Sequence, residues 1–207
     1  MSYEKKEKII ALLLFLVFLG AVTAHYCLAP WGAYRAMGPG ETALRQSLVT
    51  AAESRFGINE ADGSHKQIID LYNSQEVLPV GYVLQDTDSW CAAFVTAMAM
   101  ESGLTEIIPP ECGCERQIGL WQELGRWQEW DDYVPQPGDI IYYDWNMEET
   151  GECTGWSDHV GIVVGTKWPF VKVIEGNYDD QVKYRIIPLG DIRIRGYGKP
   201  DYSAKTA

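Results

Sequence analysis

Positive charge and histidine are what this chain has least of. Its 207 residues carry 17 Lys and Arg against 29 Asp and Glu, a formal net charge of −12, with only 3 His. A chain this acidic is repelled by phosphate backbones, and no basic patch follows its N-terminus, so a nucleic-acid partner is excluded. Cysteine is also sparse, at 5 residues. The one close pair, Cys112 and Cys114, is a C-x-C without the second ligand pair that a structural zinc site needs. Asp62, Asp86 and Asp88 do not follow the alternating oxygen pattern of a calcium loop. No metal and no other cofactor is therefore expected.

What the chain does have is apolar and aromatic material. A hydrophobic fraction of 46% over this length fills one core-sized domain. The 12 Tyr and 8 Trp suit either that core or a groove for an extended, partly sugar-like ligand. Residues 1–8 form a cytoplasmic n-region with Lys5, Lys6 and Lys8, and an uncharged apolar run follows over 9–24. By the positive-inside rule this is an export segment, either a cleaved signal peptide ending at Val22-Thr23-Ala24 or a retained transmembrane anchor. The charge-free stretch 25–34, with Tyr26, Trp31 and Tyr34 as an interfacial belt, favours the anchor and places the rest of the chain outside the cytoplasm. Residues 25–40 read as a linker ending in a flexible joint at Met37-Gly38-Pro39-Gly40, 41–200 as the folded domain and 201–207 as a tail.

Within 41–200 the first half is helical. Leu44, Leu48, Ala51, Ala52 and Arg55 mark an amphipathic helix closing at Gly57. After a turn over 59–64, Ile68, Ile69, Leu71 and Tyr72 mark a second, which Pro79-Val80-Gly81 ends. His65, in a polar turn-like run, is expected to be a solvated cap. Residues 88–103 predict a buried helix, apolar nearly all round, with Asp88 or Ser89 as N-cap and Gly103 as the left-handed C-terminal stop. Cys91 falls in its first turn, where unsatisfied amides and the dipole favour thiolate over thiol. Residues 116–133 predict another helix followed by an aromatic-acidic turn, with Trp121, Trp127 and Trp130 in the core or lining a groove. Cys112, Cys114 and Cys153 are either free thiols or contain a disulfide from Cys153 to one of the other two.

From 134 onward the period changes to two. Strands are predicted over 140–145, 158–164 and 171–177, and in the V-K-Y-R-I-I-P-L and I-R-G-Y-G-K-P runs, forming an antiparallel meander. The fold class is α+β, N-terminal helices packed on an antiparallel sheet. In such a sheet the start of one strand lies beside the end of the next, so His159 and Glu175 can meet at one rim while Cys91 approaches from its helix end. A thiol attacking an amide needs a base in reach, and that base needs a carboxylate or amide to fix its tautomer.

W-C-A-A-F-V, P-Q-P-G-D-I-I-Y-Y-D-W, S-D-H-V-G-I-V and V-I-E-G-N, in this order, resemble the CHAP family of bacterial and phage peptidoglycan hydrolases, the cysteine, histidine-dependent amidohydrolases/peptidases. The resemblance covers about 41–200 and implies a papain-like fold with peptidoglycan as substrate. The scissile bond it implies is either the N-acetylmuramoyl-L-alanine amide or an amide of the stem peptide or cross-bridge. Carried over by motif, the nucleophile falls on Cys91, the base on His159, the orienting acid on Glu175 and a supporting polar group on Asn177. The loop over 146–156 departs from the pattern in being long and acidic. Two rivals are an NlpC-type peptidase, which typically uses a second histidine, and a non-catalytic tethered wall-binding module, which would be expected to lose Cys91.

Overall fold

The computed structural model describes residues 10, 12–20, 30–33, 35–129, 133–145 and 156–206. The chain divides into two units, Met1–Trp31 and Gly32–Ala207. In the first, residues 10 and 12–20 are helical, with exposed apolar side chains such as Leu14 and Phe18. Among the described residues no helix is long and apolar enough to cross a membrane. The transmembrane anchor or signal peptide expected over 9–24 is thus not supported by a spanning helix among the described residues. The remainder of that run lies outside the described residues.

In the second unit, α1 (Pro39–Glu53), α2 (Lys66–Asn73), α3 (Cys91–Glu101) and α4 (Cys114–Glu123) precede most of the sheet. The expected joint at 37–40 is half wrong, because Pro39 and Gly40 already belong to α1. Proline fits a first helical turn, whose amides have no intrahelical acceptor. Arg45 on α1 is buried, and its Nη1 donates to Asp139 Oδ1 at 2.8 Å and to the Pro137 carbonyl at 2.9 Å. Asp139 Oδ2 also accepts from Tyr133 Oη and from the Gln136 amide. The P-G-D triplet is thus a pin that fixes the first helix to the sheet.

His65 is 4% exposed, and its Nε2 lies 3.0 Å from the Asp86 carbonyl oxygen. The expectation of a solvated cap is therefore corrected. The tilted contact with Trp90 shows why, since the ring fills space beside the start of α3.

Helix α3 is the centre of the core. Cys91 to Ala99 are all buried, alanines alternating with Phe94, Val95 and Met98, so neighbours close around it on every side. Gly103 has φ +65 and ends the helix in the left-handed conformation expected of it.

The strands are β1 (Trp127–Glu129), β2 (Ile140–Tyr143), β3 (His159–Lys167), β4 (Phe170–Glu175), β5 (Lys183–Pro188) and β6 (Ile194–Gly198). They form one antiparallel sheet in the order β1-β6-β2-β3-β4-β5. Only β2 to β5 are a meander; β6 returns to the free side of β2, and β1 adds outside it. The expected aromatic-acidic turn is in part β1, where Trp127 pairs with Gly198; on β6 the missing side chain of Gly196 leaves room for the Trp127 indole and that of Gly198 for the Trp121 indole. Period two appears within β2: Ile140 and Tyr142 join the core around α3, while Ile141 and Tyr143 join a second core on the other face. Trp121 is buried under the sheet, its Nε1 donating to Tyr142 Oη at 2.7 Å. Trp130 and most of the acidic loop lie outside the described residues.

Candidate active site

Cys91 is the first residue of α3 and is 5% exposed. Amides of a helix's first turn have no intrahelical acceptor, so a negative charge here is met by backbone dipoles. The cap position is Trp90 rather than Asp88 or Ser89. Asp88 closes its own turn instead, its Oδ2 accepting from the Gln85 amide and the Tyr82 hydroxyl, both at 2.8 Å. Trp90 is held by its indole, which donates to Glu60 Oε1 at 2.9 Å.

A second sulfur lies against the first. Cys114 Sγ is 3.6 Å from Cys91 Sγ, and the two are free thiols, as is Cys112. Two hydrogen bonds fold the loop before α4 back onto α3, and a third ties that loop to α4 itself. Thr96 Oγ1 donates to the Glu111 carbonyl at 2.7 Å and accepts from the Glu111 amide at 2.9 Å, while Gln117 Nε2 donates to the Pro109 carbonyl at 2.8 Å. The Glu111 carboxylate in turn gathers the Cys112 and Gly113 amides and Arg116. Of the expected disulfide partners, Cys153 lies outside the described residues.

The opposite wall is sheet. His159 opens β3 and Glu175 closes β4, and Nε2 of the ring is 3.0 Å from Glu175 Oε2. The register Ile162↔Ile174, continued, sets Gly161 opposite Glu175 and His159 diagonal to it. A Cβ on Gly161 would stand 2.6 Å from Glu175 Cγ, so the glycine of D-H-V-G is the gap through which the carboxylate reaches the ring. Gly176 does the same for the helix: a Cβ there would lie 2.5 Å from Phe94 Cβ and 2.8 Å from the Trp90 ring. The missing side chains bring the end of β4 against the start of α3, and Cys91 and His159 shift each other's protonation. With Nε2 committed to Glu175, the nitrogen left for the sulfur is Nδ1.

The electrostatics follow from these contacts. The Cys114 thiol, against the opposing effect of burial and with the His159 ring adding to it, holds Cys91 well below the ordinary thiol range. Burial opposes a charged His159, but its bonds to Cys91 and Glu175 prevail and raise it to about 10. Burial likewise pushes the Glu175 carboxyl up, and His159 and Arg185 together hold it below its usual range. Near neutral pH the site is a thiolate beside an imidazolium, a pair that takes up and loses protons as a unit.

Of the four residues expected at the site, His159 and Glu175 are hydrogen-bonded, and Cys91 is electrostatically coupled to His159. Asn177 follows in left-handed backbone at φ +57, a conformation asparagine tolerates, and lines an open cavity of about 350 Å³ with His159, Trp145 and Tyr178. A second cavity of about 410 Å³ opens beside Ser89, Cys112 and Arg116, next to Cys91 along the chain. Two members of the site went unread in the sequence. The sequence reading allows Cys114 as a free thiol, a disulfide partner or half of an incomplete zinc pair, but not as a neighbour of Cys91, although its place two residues after Cys112 is a signal that this loop carries sulfur. Arg185 had no signal, since K-Y-R-I-I-P reads as an ordinary strand. Among the described residues no cluster of His, Cys, Asp or Glu could hold a metal ion.

No curated protein and no solved structure matches the chain. A family model does, over residues 83–177, a shorter span than the 41–200 expected but one that contains Cys91, Cys114, His159, Glu175 and Asn177. That segment of the chain is similar to the CHAP domain.

Proposed function

We propose that this protein is an exported, cysteine-dependent peptidoglycan hydrolase that cleaves an amide bond, either the N-acetylmuramoyl-L-alanine amide or one in the stem peptide or cross-bridge. One observation carries the reading. In a segment similar to the CHAP domain, a helix-end cysteine, its thiol held low in part by His159, shares a buried site with that histidine, whose Nε2 is 3.0 Å from a buried carboxylate. In the first half of the reaction, the Cys91 thiolate attacks the amide carbon, and the oxyanion is met by amides at the start of α3. His159 gives the proton on Nδ1 to the departing amine, leaving a thioester on Cys91. In the second half, His159 takes a proton from water, the resulting hydroxide attacks the thioester carbon, and the carboxylic acid leaves as the Cys91 thiolate is restored. Glu175 holds the ring and stabilises imidazolium, and Asn177 supports the rim.

Export is part of the proposal, supported by the lysine-flanked apolar run and by where this substrate lies. The test uses purified peptidoglycan with wild type and Cys91→Ala. Wild type should release new amino termini, and masses of the soluble fragments identify the bond. Cys91→Ala should release none beyond background, a fall of at least roughly 10⁴-fold. Equal release by both proteins refutes the reading. A reporter fused after Ala207 should be active only outside the cytoplasm, and cytoplasmic activity refutes export.

A further inference from the structure

Arg185 stands on β5, outside the segment matched by the family model. Its Nε donates to both oxygens of Glu175, at 2.7 and 3.0 Å. The register Val173↔Arg185 and Glu175↔Lys183 makes it a diagonal neighbour of Glu175, as His159 is from the other side. Rings hold the guanidinium: its carbon is 3.9 Å from the Tyr178 centroid and 4.3 Å from that of Trp145, and the side chain is 17% exposed. Charge therefore alternates through the site, from Cys91 thiolate to His159 imidazolium, Glu175 carboxylate and Arg185 guanidinium. The other titratable groups facing Arg185 are Tyr143 from β2 and Tyr178 after β4, while Asp158 and Asp179 share its cavity.

The alternation matters once the reaction starts. When His159 has given its proton to the leaving amine, the ring is neutral and Cys91 is an uncharged thioester. Glu175 is then a fully buried carboxylate, and of its two ion-pair partners among the described residues only Arg185 still carries charge. A buried carboxylate stripped of its cation takes up a proton, and a protonated Glu175 no longer favours the imidazolium that the second half must regenerate. We propose that Arg185 is a positioning residue, keeping Glu175 ionised and turned toward His159 through the half of the cycle in which the histidine is neutral. This rests on the cysteine–histidine reading of the site.

The test compares wild type with Arg185→Met, which removes the charge, and Arg185→Lys, which keeps charge but loses the two-pronged contact. Two readouts are taken across pH: peptidoglycan hydrolysis, and the rate at which iodoacetamide alkylates Cys91, which needs no substrate. Loss of a positive charge raises every proton affinity nearby. In Arg185→Met both limbs of the pH–rate profile, and the alkylation midpoint, should therefore move to higher pH by roughly 0.5–1 unit. The maximal rate should fall roughly 10- to 100-fold. Arg185→Lys should return the limbs toward wild type at an intermediate rate. A residue that merely supports the fold lowers the rate without moving the limbs, and one that binds a substrate carboxylate raises KM alone; either result overturns the proposal. If Arg185→Met does not fold, as judged by circular dichroism, Arg185→Gln is read by the same criteria. If wild type hydrolyses no peptidoglycan, the functional reading fails, while the alkylation midpoint still decides whether Arg185 acts on the site.

Discussion

The two walls of the site are built on different physics. The helical wall, α3 with the loop before α4, contributes two sulfurs, backbone amides and apolar packing, with no fixed charge of its own touching Cys91. The sheet wall, β3 to β5, contributes an imidazole, a carboxylate and a guanidinium in a row of alternating sign. Dipoles at a helix end are worth at most a kilocalorie or two, whereas charged hydrogen bonds in a buried row couple strongly. The helical wall therefore places the nucleophile and, through Cys114, lowers its thiol most, while the sheet wall sets the protonation of the histidine that works on it. Variants on the sheet side should cost more than variants of equal size on the helical side, the nucleophile itself aside.

The largest expected effect on that comparison comes from Glu175. Glu175→Ala removes both acceptor and charge and should lower the catalytic rate by roughly 10²–10⁴-fold. Glu175→Gln keeps an acceptor without the charge and should fall between wild type and alanine, with KM changed less than the rate. Asn177→Ala should cost less than either, since the ring's Nε2 already faces Glu175. Steady-state hydrolysis of one defined muropeptide orders all four proteins. If Asn177→Ala abolishes activity while Glu175→Ala leaves it intact, the third role passes to Asn177 and the charged row loses its meaning.

A smaller change tests whether geometry alone carries part of that cost. A methyl on Gly161 would meet Glu175 Cγ and Val173 Cγ1, both at 2.6 Å, and the Ile174 carbonyl at 3.1 Å. Gly161→Ala adds no charge and removes none, so its effect is purely a displacement of the carboxylate. Overpacking of this kind costs about 1–3 kcal/mol of stability, and the rate should fall roughly tenfold or more, because small misplacements of catalytic groups are expensive. Thermal melts and hydrolysis rates on the same samples separate the two losses. An unchanged rate would show that Glu175 need not reach His159 through this gap.

The helices, the strands and the reactive cysteine were legible because each has a short-range cause. Apolar residues at helical spacing mark α1 to α3, and alternation marks β2. Legibility fails where a contact depends on pairing between distant strands. Arg185 becomes a neighbour of Glu175 only through the register of β4 and β5, and nothing in K-Y-R-I-I-P distinguishes it from a surface cation. The return of β6 to β2 and the addition of β1 were missed for the same reason, since a meander is the default for consecutive strands. Cys114 depended on Thr96, a residue inside α3 whose hydroxyl folds the next loop back upon the helix. His65 looked solvated because its neighbours in sequence are polar, yet its neighbour in space is Trp90.

The smallest effect should come from Cys114, the one helical-wall side chain that touches the nucleophile's sulfur. Its thiol, pushed well above the ordinary range first by the neighbouring Cys91 and then by burial, stays protonated and can donate to the Cys91 thiolate. A thiol is a weak donor. Cys114→Ala should thus move the pH midpoint of Cys91 alkylation upward, and Cys114→Ser, which keeps a donor on a shorter reach, should move it less. The sign follows from removing a group that favours the charged form. Because Cys91 begins well below its usual range, thiolate should still dominate at pH 7 in both variants, and hydrolysis there should fall by less than about tenfold. The difference should emerge at acidic pH, where wild type keeps its thiolate and Cys114→Ala has begun to lose it. Mass-resolved alkylation reads this directly, with wild-type Cys91 modified at pH values where Cys114 is not. A loss at pH 7 as large as that of Glu175→Ala would mean that the thiol of Cys114 matters as much to the rate as the charged row of the sheet.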